Sequence, residues 1–462
     1  MRVPDRAYGI ETEYGCMVKQ DGKILSDKDW PVDFLRNYVY RYADRGSCAI
    51  SRVKRLWGVN GSLIYIDTGN HPEHASPEAR SVRDAVIYSH VGDMLMRNLF
   101  GDKGSDVPQI LLFKNNIARG ESENEGNIWI QTFGCHENYC AYADQEAYYD
   151  PSFCAFLTTR QILDGSGCWD EHDTFFLSQR ARALGPYSRC VPTLKTDDGG
   201  RVHLIYGDSN MLDCAAFLKL GTTTLMLSLV EAGYMPDMGY SSSTVRDLFD
   251  VSRGGAKERI ILMRDGSKMS ALELQYRYWA AARRGVSQAT FQSDEVAAES
   301  ELILQVWEQA LNAIANNDRA WMVGRLDWAT KLWLAEHEIV HYAKNEPYAV
   351  REIRNTVDLA YHSIMQPCMR ECIYARWPER RLATDAQISY AMDNPPKGTR
   401  AQFRGTAIRK AAELSRQHQL IVDWPTIAFT SQQDFHLFTF RMPDPLDTYE
   451  SLTESLKRCL QS

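Results

Sequence analysis

The chain has 462 residues, of which 44% are hydrophobic and 24% are charged, the balance expected of a globular protein with a large buried core. The length fits about three domains, or one large sheet domain with an appendage. The net charge of −8 argues against a broad basic surface for nucleic acid.

Eleven cysteines are scattered along the chain without a Cys-x-x-Cys pair. Cys368 and Cys372 lie one helical turn apart, but no second pair follows them at the spacing of a zinc site. This pattern indicates reduced thiols buried as small hydrophobic groups. The sequence also shows no signal peptide and no uninterrupted apolar run of about 18 residues. We therefore expect a cytoplasmic protein with no membrane span and no nucleic-acid partner.

Two stretches, residues 9–15 and 60–73, open with the alternating side-chain pattern of a β-strand. Side chains two apart in a strand share a face, so Glu11 and Glu13 point the same way, as do Tyr65 and Asp67, with Glu73 a short loop later. Such a wall of oxygen atoms is what Mg²⁺ requires. The alternative is a solvated strand face whose charges only keep a sheet edge soluble.

The other predicted elements follow from hydrophobic spacing and turn residues. Helical spacing predicts helices over 26–42, from near Pro77 to just before Gly101, and over 211–233, 271–284, 295–315 and 326–342. Alternation predicts strands over 109–114, 127–132 and 201–207, in a mainly antiparallel or mixed sheet. Residues 208–210 are expected to cap the 211–233 helix, a buried scaffold element.

The second half of the chain breaks at Pro395-Pro396. Beyond it the pattern predicts a helix to about residue 417, a strand over 420–424 and a terminal helix from Pro445. We place a domain boundary near residue 390.

In combination, these segments resemble the Pup ligase and depupylase family. Its members attach or remove a small prokaryotic ubiquitin-like protein (Pup) and belong to the carboxylate–amine ligases built like glutamine synthetase. The matches occur in family order along nearly the whole chain, at residues 9–15, 65–73, 113–116, 134–139, 159–161, 177–180, 207–210, 358–362, 399–405 and 422–424.

The resemblance implies an α+β fold with two parts. Residues 1–390 would form a large glutamine synthetase-like catalytic domain, with a mainly antiparallel curved sheet backed by helices. Residues 391–462 would form a small C-terminal domain that completes the nucleotide site.

Five residues are predicted to hold Mg²⁺. The resemblance implies Glu11, Tyr65 and Glu73 as ligands, and strand alternation adds Glu13. Glu137 is the candidate for a second ion, with a hydrogen-bonded structural pair as the alternative.

Five further residues are predicted to act on substrate or nucleotide. By resemblance, Asp67 is the catalytic acid/base or nucleophile, and Trp424 packs on the adenine of ATP. Ser76 stands where the family places a Thr that contacts ATP. Arg400 and Arg404 lie one turn apart if their segment is helical and could clamp phosphate, with a domain-interface salt bridge as the alternative.

The implied reaction uses ATP and Mg²⁺ to activate the C-terminal Glu of a Pup-like modifier, through an acyl phosphate, for attack by a lysine of a target protein. The alternatives are a depupylase-type amidase or deamidase acting on the same modifier, and a member that binds a partner without turnover. Only 44 residues separate Gly15 from Asn60, which leaves no room for the long depupylase insertion. The sequence Thr68-Gly69-Asn70 and Cys135 also favour a ligase, whereas residues 76–78 resemble the depupylases.

The chain departs from the family at two places. Leu63 stands where the family carries an Arg, so a cationic ATP contact is either missing or supplied from elsewhere. The segment before the 201–207 strand is shortened to residues 195–201, and in the family this segment is expected near the modified carboxylate.

Overall fold

The computed structural model describes residues 1–20, 23–25, 48–51, 55–67, 69–100, 109–121, 128–184, 195–197, 200–205, 207–240, 244–258, 260–342, 349–413, 418–431 and 437–461. The helix predicted over 26–42 lies outside these ranges. Within them the chain combines α-helices with mainly antiparallel strand pairs, and it also contains the short parallel pair Arg2–Val3 and Thr290–Phe291. The predicted α+β class is confirmed.

The chain divides into two compact units that do not follow chain order. The sheet unit contains Arg6–Leu112 and Ala383–Ser462, and the helical unit contains Met1–Asp5 and Phe113–Leu382. The predicted boundary near residue 390 stays a prediction, because the units are defined by packing. By packing, the helical unit ends at Leu382 and the sheet unit resumes at Ala383.

The sheet unit is built on five consecutive antiparallel strands. In spatial order they are Tyr8–Glu13, Pro72–Ala75, Leu63–Ile66, Arg55–Gly58 and Cys48–Ser51. A second, smaller antiparallel pair joins Gly15–Gln20 to Lys23–Leu25. The strand Gln109–Phe113 ends where the first segment of the sheet unit gives way to the helical unit, between Leu112 and Phe113.

The helix Val82–Phe100 packs against one face of the five-stranded sheet, close to the prediction for this segment. Its approach is close at Gly92, where a Cβ atom would lie 2.2 Å from Nδ1 of His74 in the sheet. Glycine is therefore required at this contact. The Tyr14 hydroxyl further joins the strand end to this helix by donating to Asp93 at 2.7 Å.

Residues 383–462 add three α-helices and a three-stranded sheet to the same unit. The helices are Asp385–Asp393, Ala401–Glu413 and Glu450–Gln461, with the strands His418–Asp423, Thr426–Ser431 and Leu437–Arg441. One apolar core joins this segment to the five-stranded sheet, because Trp57, Leu63 and Ala75 pack with Phe403 and Phe440. The terminal helix begins at Glu450 rather than at Pro445, whose carbonyl accepts from the Arg400 backbone.

The helical unit contains short antiparallel strand pairs and most of the described helices. Besides the parallel pair Arg2–Val3 and Thr290–Phe291, its strands are Ile117–Glu121, Ile128–Thr132, Cys135–Cys140, Cys168–Trp169, Phe175–Phe176, Lys195–Asp197, Arg201–Leu204, Ile260–Leu262 and Lys268–Ser270. Its helices are Pro151–Thr159, Gln161–Asp164, Gln179–Leu184, Asp213–Glu231, Thr244–Glu258, Ala271–Ser287, Asp294–Asn316, Arg319–Met322, Asp327–Tyr342, Ala349–Tyr361 and Met369–Arg376, with 3-10 turns at Gln145–Tyr149 and Pro378–Arg380.

The helix Asp213–Glu231 is the buried scaffold element that the sequence predicts. Among the residues that the structure describes, it is one helix long and apolar enough to cross a membrane, yet 94% of its apolar window is buried inside the protein. Core helices of folded proteins pass the same test, so this helix is weak evidence for a span.

The predicted cap of this helix is wrong. The helix is preceded by Leu212, which makes no side-chain cap hydrogen bond. The Asp208 carboxylate instead accepts from Ser166, Ser178, Gln179 and Arg180. The Asp208 carboxylate, which the local pattern predicts as a helix cap, therefore accepts its hydrogen bonds from residues distant in sequence.

Candidate active site

Three neighbouring strands of the sheet unit place acidic side chains in one row. Glu13 is paired in register with Glu73, and Glu73 is paired with Tyr65. Residues directly opposite each other on antiparallel strands point to the same side of a sheet, with Cβ atoms about 5 Å apart. Glu11 and Asp67 lie two residues from members of this row and share its side. We call these five residues the acidic face.

The carboxylates of the acidic face converge on a small volume. Glu13, Asp67 and Glu73 each present an oxygen, and the three oxygens lie within 4.8 Å of one another. Such a spacing brings like charges together at a cost unless a cation neutralises them. The geometry is therefore suited to a metal ion that prefers oxygen ligands.

Glu73 is the most buried member, with 1% of its surface exposed. Burial, followed by the negative charge of Glu11, raises the pKa of its carboxyl to about 9, although a hydrogen bond from Tyr65 works in the opposite direction. Its Oε2 atom has no hydrogen-bond partner within the described part of the chain. Burial, then Glu73 and Glu11, also raise the pKa of the Tyr65 hydroxyl. An oxygen left unpaired in this environment fits a ligand for Mg²⁺.

A tight turn holds Asp67 beside the row. The Asp67 N–H donates to the His71 carbonyl at 3.0 Å, and the Asn70 N–H donates to the Asp67 carbonyl at 3.0 Å. Gly69 adopts a φ of +90° within this turn, and a Cβ there would lie 3.1 Å from the His71 ring. The His71 Nδ1 atom is in turn 2.7 Å from Glu13 Oε2. His71 thus connects the turn of Asp67 to the carboxylate of Glu13.

Trp424 lies beside this face, in the two-residue turn between His418–Asp423 and Thr426–Ser431. Its ring meets Trp57 edge-on, with centroids 4.8 Å apart. The Arg404 guanidinium lies over both rings, 4.8 Å from the centroid of Trp424 and 5.0 Å from that of Trp57. This cation–π arrangement fixes the position of the Trp424 ring.

Arg404 is fully buried and forms its ion pair with Glu78. Arg400 donates to the same carboxylate at 2.7 Å. Burial alone would raise the pKa of the Glu78 carboxyl, but the charges of Arg404 and Arg400 together hold that pKa below its usual value. Two guanidinium groups and one carboxylate therefore form a closed cluster under Trp424.

Comparison with known proteins gives this arrangement a context. The family model described as "Pup-ligase protein" matches residues 6–428. A curated Pup–protein ligase of Xylanimonas cellulosilytica is 30% identical, over 99% of this chain and 99% of that protein. The chain belongs to the Pup-ligase family.

Further comparisons agree with this membership. A Pup–protein ligase of Acidimicrobium ferrooxidans is 29% identical over 100% of this chain and 99% of its own. The solved complex between Pup and its ligase PafA matches with a TM-score of 0.84 and 25% identity, over 99% of this chain and 92% of that one. PafA in complex with ADP matches with a TM-score of 0.75 and 24% identity, over 95% of each chain, and shows the fold.

In this Pup-ligase family member, the structure brings together Glu11, Glu13, Tyr65, Asp67 and Glu73. Their roles as metal ligands and as catalytic acid/base stay predictions. The geometry adds that the Asp67 carboxylate shares the volume of the predicted metal ligands, which the sequence pattern alone does not specify.

The structure gives Ser76 a partner outside the acidic face. Ser76 is buried, and its hydroxyl oxygen accepts from the Ile10 N–H at 2.9 Å. Strand alternation directs it to the side of His74, where the helix Val82–Phe100 packs. Its role as an ATP contact stays a prediction.

For Arg400 and Arg404 the geometry favours the ion-pair alternative, because Glu78 engages both guanidinium groups. Glu137 is similar. It is fully buried in the helical unit, where Arg160 donates to its two oxygens at 2.6 and 2.9 Å and the Tyr139 hydroxyl donates at 2.6 Å. The predicted roles as phosphate clamp and second metal ligand remain untested by these contacts.

Two contacts at this site were missing from the sequence prediction. The sequence analysis names Glu78 only within residues 76–78, which resemble the depupylases. An acid beside Pro77 and ahead of a helix is a signal for a buried partner of an arginine. His71 belongs to the same matched stretch as Asp67 and Glu73. Its contact with Glu13 depends on the turn, which strand alternation cannot predict.

Proposed function

We propose that the chain is an ATP- and Mg²⁺-dependent ligase that joins the C-terminal Glu side chain of a Pup-like small protein modifier to lysines of target proteins, through an acyl phosphate. The observation that carries the proposal is the row Glu13–Glu73–Tyr65 with Asp67 beside it. The named relatives are Pup–protein ligases, which supports conjugation over removal. The solved ligases with Pup and with ADP support the same modifier and nucleotide.

In this proposal the acidic face holds Mg²⁺ through Glu11, Glu13, Tyr65 and Glu73. When bound, Mg²⁺ neutralises phosphate charge while the γ-phosphoryl group moves to the modifier carboxylate. Trp424 supplies an apolar platform for the adenine, since a π-face tolerates a flat base.

Asp67 acts in the second half of the reaction. A lysine ε-amine attacks only when neutral, so a carboxylate next to the metal orients it and accepts its proton. The turn closed by His71 holds Asp67 at this position. The cysteines whose side chains the structure describes are free thiols, which fits the cytoplasmic location that we propose.

Asp67→Asn tests this function. The variant is nearly isosteric but accepts no proton from an amine. We expect modifier-dependent ADP formation to persist while lysine conjugation falls by about 10²–10⁴-fold, the usual contribution of a general base. The measurement is mass spectrometry of conjugates and free modifier, with nucleotide assayed in parallel.

Asp237→Asn, which removes an exposed carboxylate of the helical unit, is the matched control and should retain conjugation. Full conjugation by Asp67→Asn would contradict the assignment. Wild-type protein that removes the modifier and never attaches it would instead favour the amidase.

A further inference from the structure

The row of cross-strand neighbours that contains Glu13, Glu73 and Tyr65 extends to a cationic residue, Arg55. Arg55 is paired in register with Tyr65, on the strand beyond it, and so lies on the same side of the sheet. The row therefore reads Glu13, Glu73, Tyr65 and Arg55 across four strands. Within the five described strands of this sheet, Arg55 is the one Lys or Arg.

Arg55 also lies beside the turn that carries Trp424. Its Nη1 atom is 3.6 Å from Oδ1 of Asp423, the residue before Trp424. The two side chains are 38% and 56% exposed, so water screens their attraction and the pair holds Arg55 only weakly. Arg55 thus lies between the acidic face and the Trp424 ring, with its guanidinium accessible.

The next described row of the sheet offers no comparable charge. The next row of the same side reads Glu11, Ala75, Leu63 and Trp57, and Leu63 is buried in the apolar core. Arg400 and Arg404 are engaged by Glu78, as described above. Among the described residues of these two rows, Arg55 is therefore the cation with donors available for a ligand.

We propose that Arg55 binds the phosphates of ATP, between the base at Trp424 and the metal at the acidic face. This inference rests on the proposed function. A triphosphate keeps negative charge after one Mg²⁺ is bound, and a planar guanidinium pairs with phosphate oxygens through two parallel hydrogen bonds. Asp423 is then the partner that Arg55 exchanges for phosphate, and Arg55 supplies the charge that Leu63 lacks.

The test compares Arg55→Met and Arg55→Lys with wild type in binding calorimetry, using a non-hydrolysable ATP analogue with Mg²⁺ and, separately, adenosine. Loss of a charge-assisted contact should weaken binding of the analogue by about 10- to 100-fold in Arg55→Met, with a smaller loss in Arg55→Lys. Adenosine carries no phosphate, so its affinity should be unchanged, which also shows that the variant is folded.

Asp423→Asn is the matched control because it removes the charge facing Arg55 and keeps an acceptor for the Trp424 N–H. It should bind the analogue as tightly as wild type or more tightly. Unchanged analogue affinity in Arg55→Met, equal losses for analogue and adenosine, or the same loss in Asp423→Asn would overturn the role of Arg55. A wild-type protein that fails to bind the analogue would overturn the proposed function as well.

Discussion

Glu73 is the most buried residue of the acidic face. Its carboxyl is buried, and its pKa rises from 4.5 to about 9 in the metal-free protein because of burial and then of the neighbouring carboxylates. Between these values the unfolded chain releases the proton and the folded chain keeps it. The metal-free fold therefore loses stability as pH rises through this window.

Binding of Mg²⁺ should become more favourable as pH rises, because a ligating carboxylate must first lose its proton. We expect the affinity for Mg²⁺ to rise between about pH 6 and pH 8, by up to about tenfold per pH unit. Calorimetric titration with MgCl₂ measures this affinity, and Glu73→Gln should flatten the profile. A wild-type affinity independent of pH over this range would contradict the assignment of Glu73.

At the same scale, the sequence predicted which side chains share a face but not which ones touch. Alternation correctly directed Glu11, Glu13, Tyr65 and Asp67 to one side, because the period of a strand is fixed by its backbone. The neighbour of a residue on the next strand depends on register, which turn geometry sets. The contact between Arg55 and the row could not be predicted for this reason.

Among the elements, the helix Ala401–Glu413 carries the fully buried Arg404. It presents Arg404 to Glu78, and the same guanidinium covers the rings of Trp57 and Trp424. A buried charge that loses its partner keeps its full desolvation cost. The position of the Trp424 turn therefore depends on Glu78.

Glu78→Gln should lower the free energy of unfolding by about 3–5 kcal/mol, since it leaves Arg404 buried without its anion. Urea denaturation measures the loss. The control is Glu336→Gln, which breaks the exposed pair with Arg319 and should cost less than about 1 kcal/mol. Similar small losses in both variants would show that the buried cluster contributes little.

Sequence periodicity predicted several of the long helices of the described part of the chain to within a few residues. Asp213–Glu231, Asp294–Asn316 and Asp327–Tyr342 all fall close to their predicted bounds, because apolar spacing of 3.6 residues is a local signal. The expected cap at residues 208–210 failed because Asp208 bonds to segments about 30 to 40 residues away in sequence. Local patterns hold no information about such partners.

At the scale of the whole molecule, the sheet unit joins two parts of the chain that lie far apart in sequence. Trp57 and Leu63 pack on Phe403 and Phe440, so neither part has a complete core alone. The tyrosine hydroxyl of Tyr88 also donates to the Asn394 carbonyl at 2.6 Å. Residues 383–462 are therefore a component of the unit that holds the acidic face.

A chain that ends at Leu382 should lose binding of ATP and bind more of a dye specific for exposed apolar surface. Co-production of residues 383–462 as a separate fragment should restore binding of ATP, because the fragment supplies the missing half of the core. The fragment alone should show no cooperative unfolding transition. A cooperative transition for the isolated fragment would instead support an independent C-terminal domain, as the boundary near residue 390 predicts.

The split of the sheet unit also sets the order in which the protein is assembled during synthesis. About 270 residues of the helical unit leave the ribosome between Leu112 and Ala383. At about 5–20 residues per second this interval lasts roughly 15–55 seconds. Throughout it, the nascent chain carries Trp57 and Leu63 without the segment that covers them, a target for chaperones. A chain that stops before Ala383 therefore lacks half of the core around the acidic face and is marked by its exposed apolar surface.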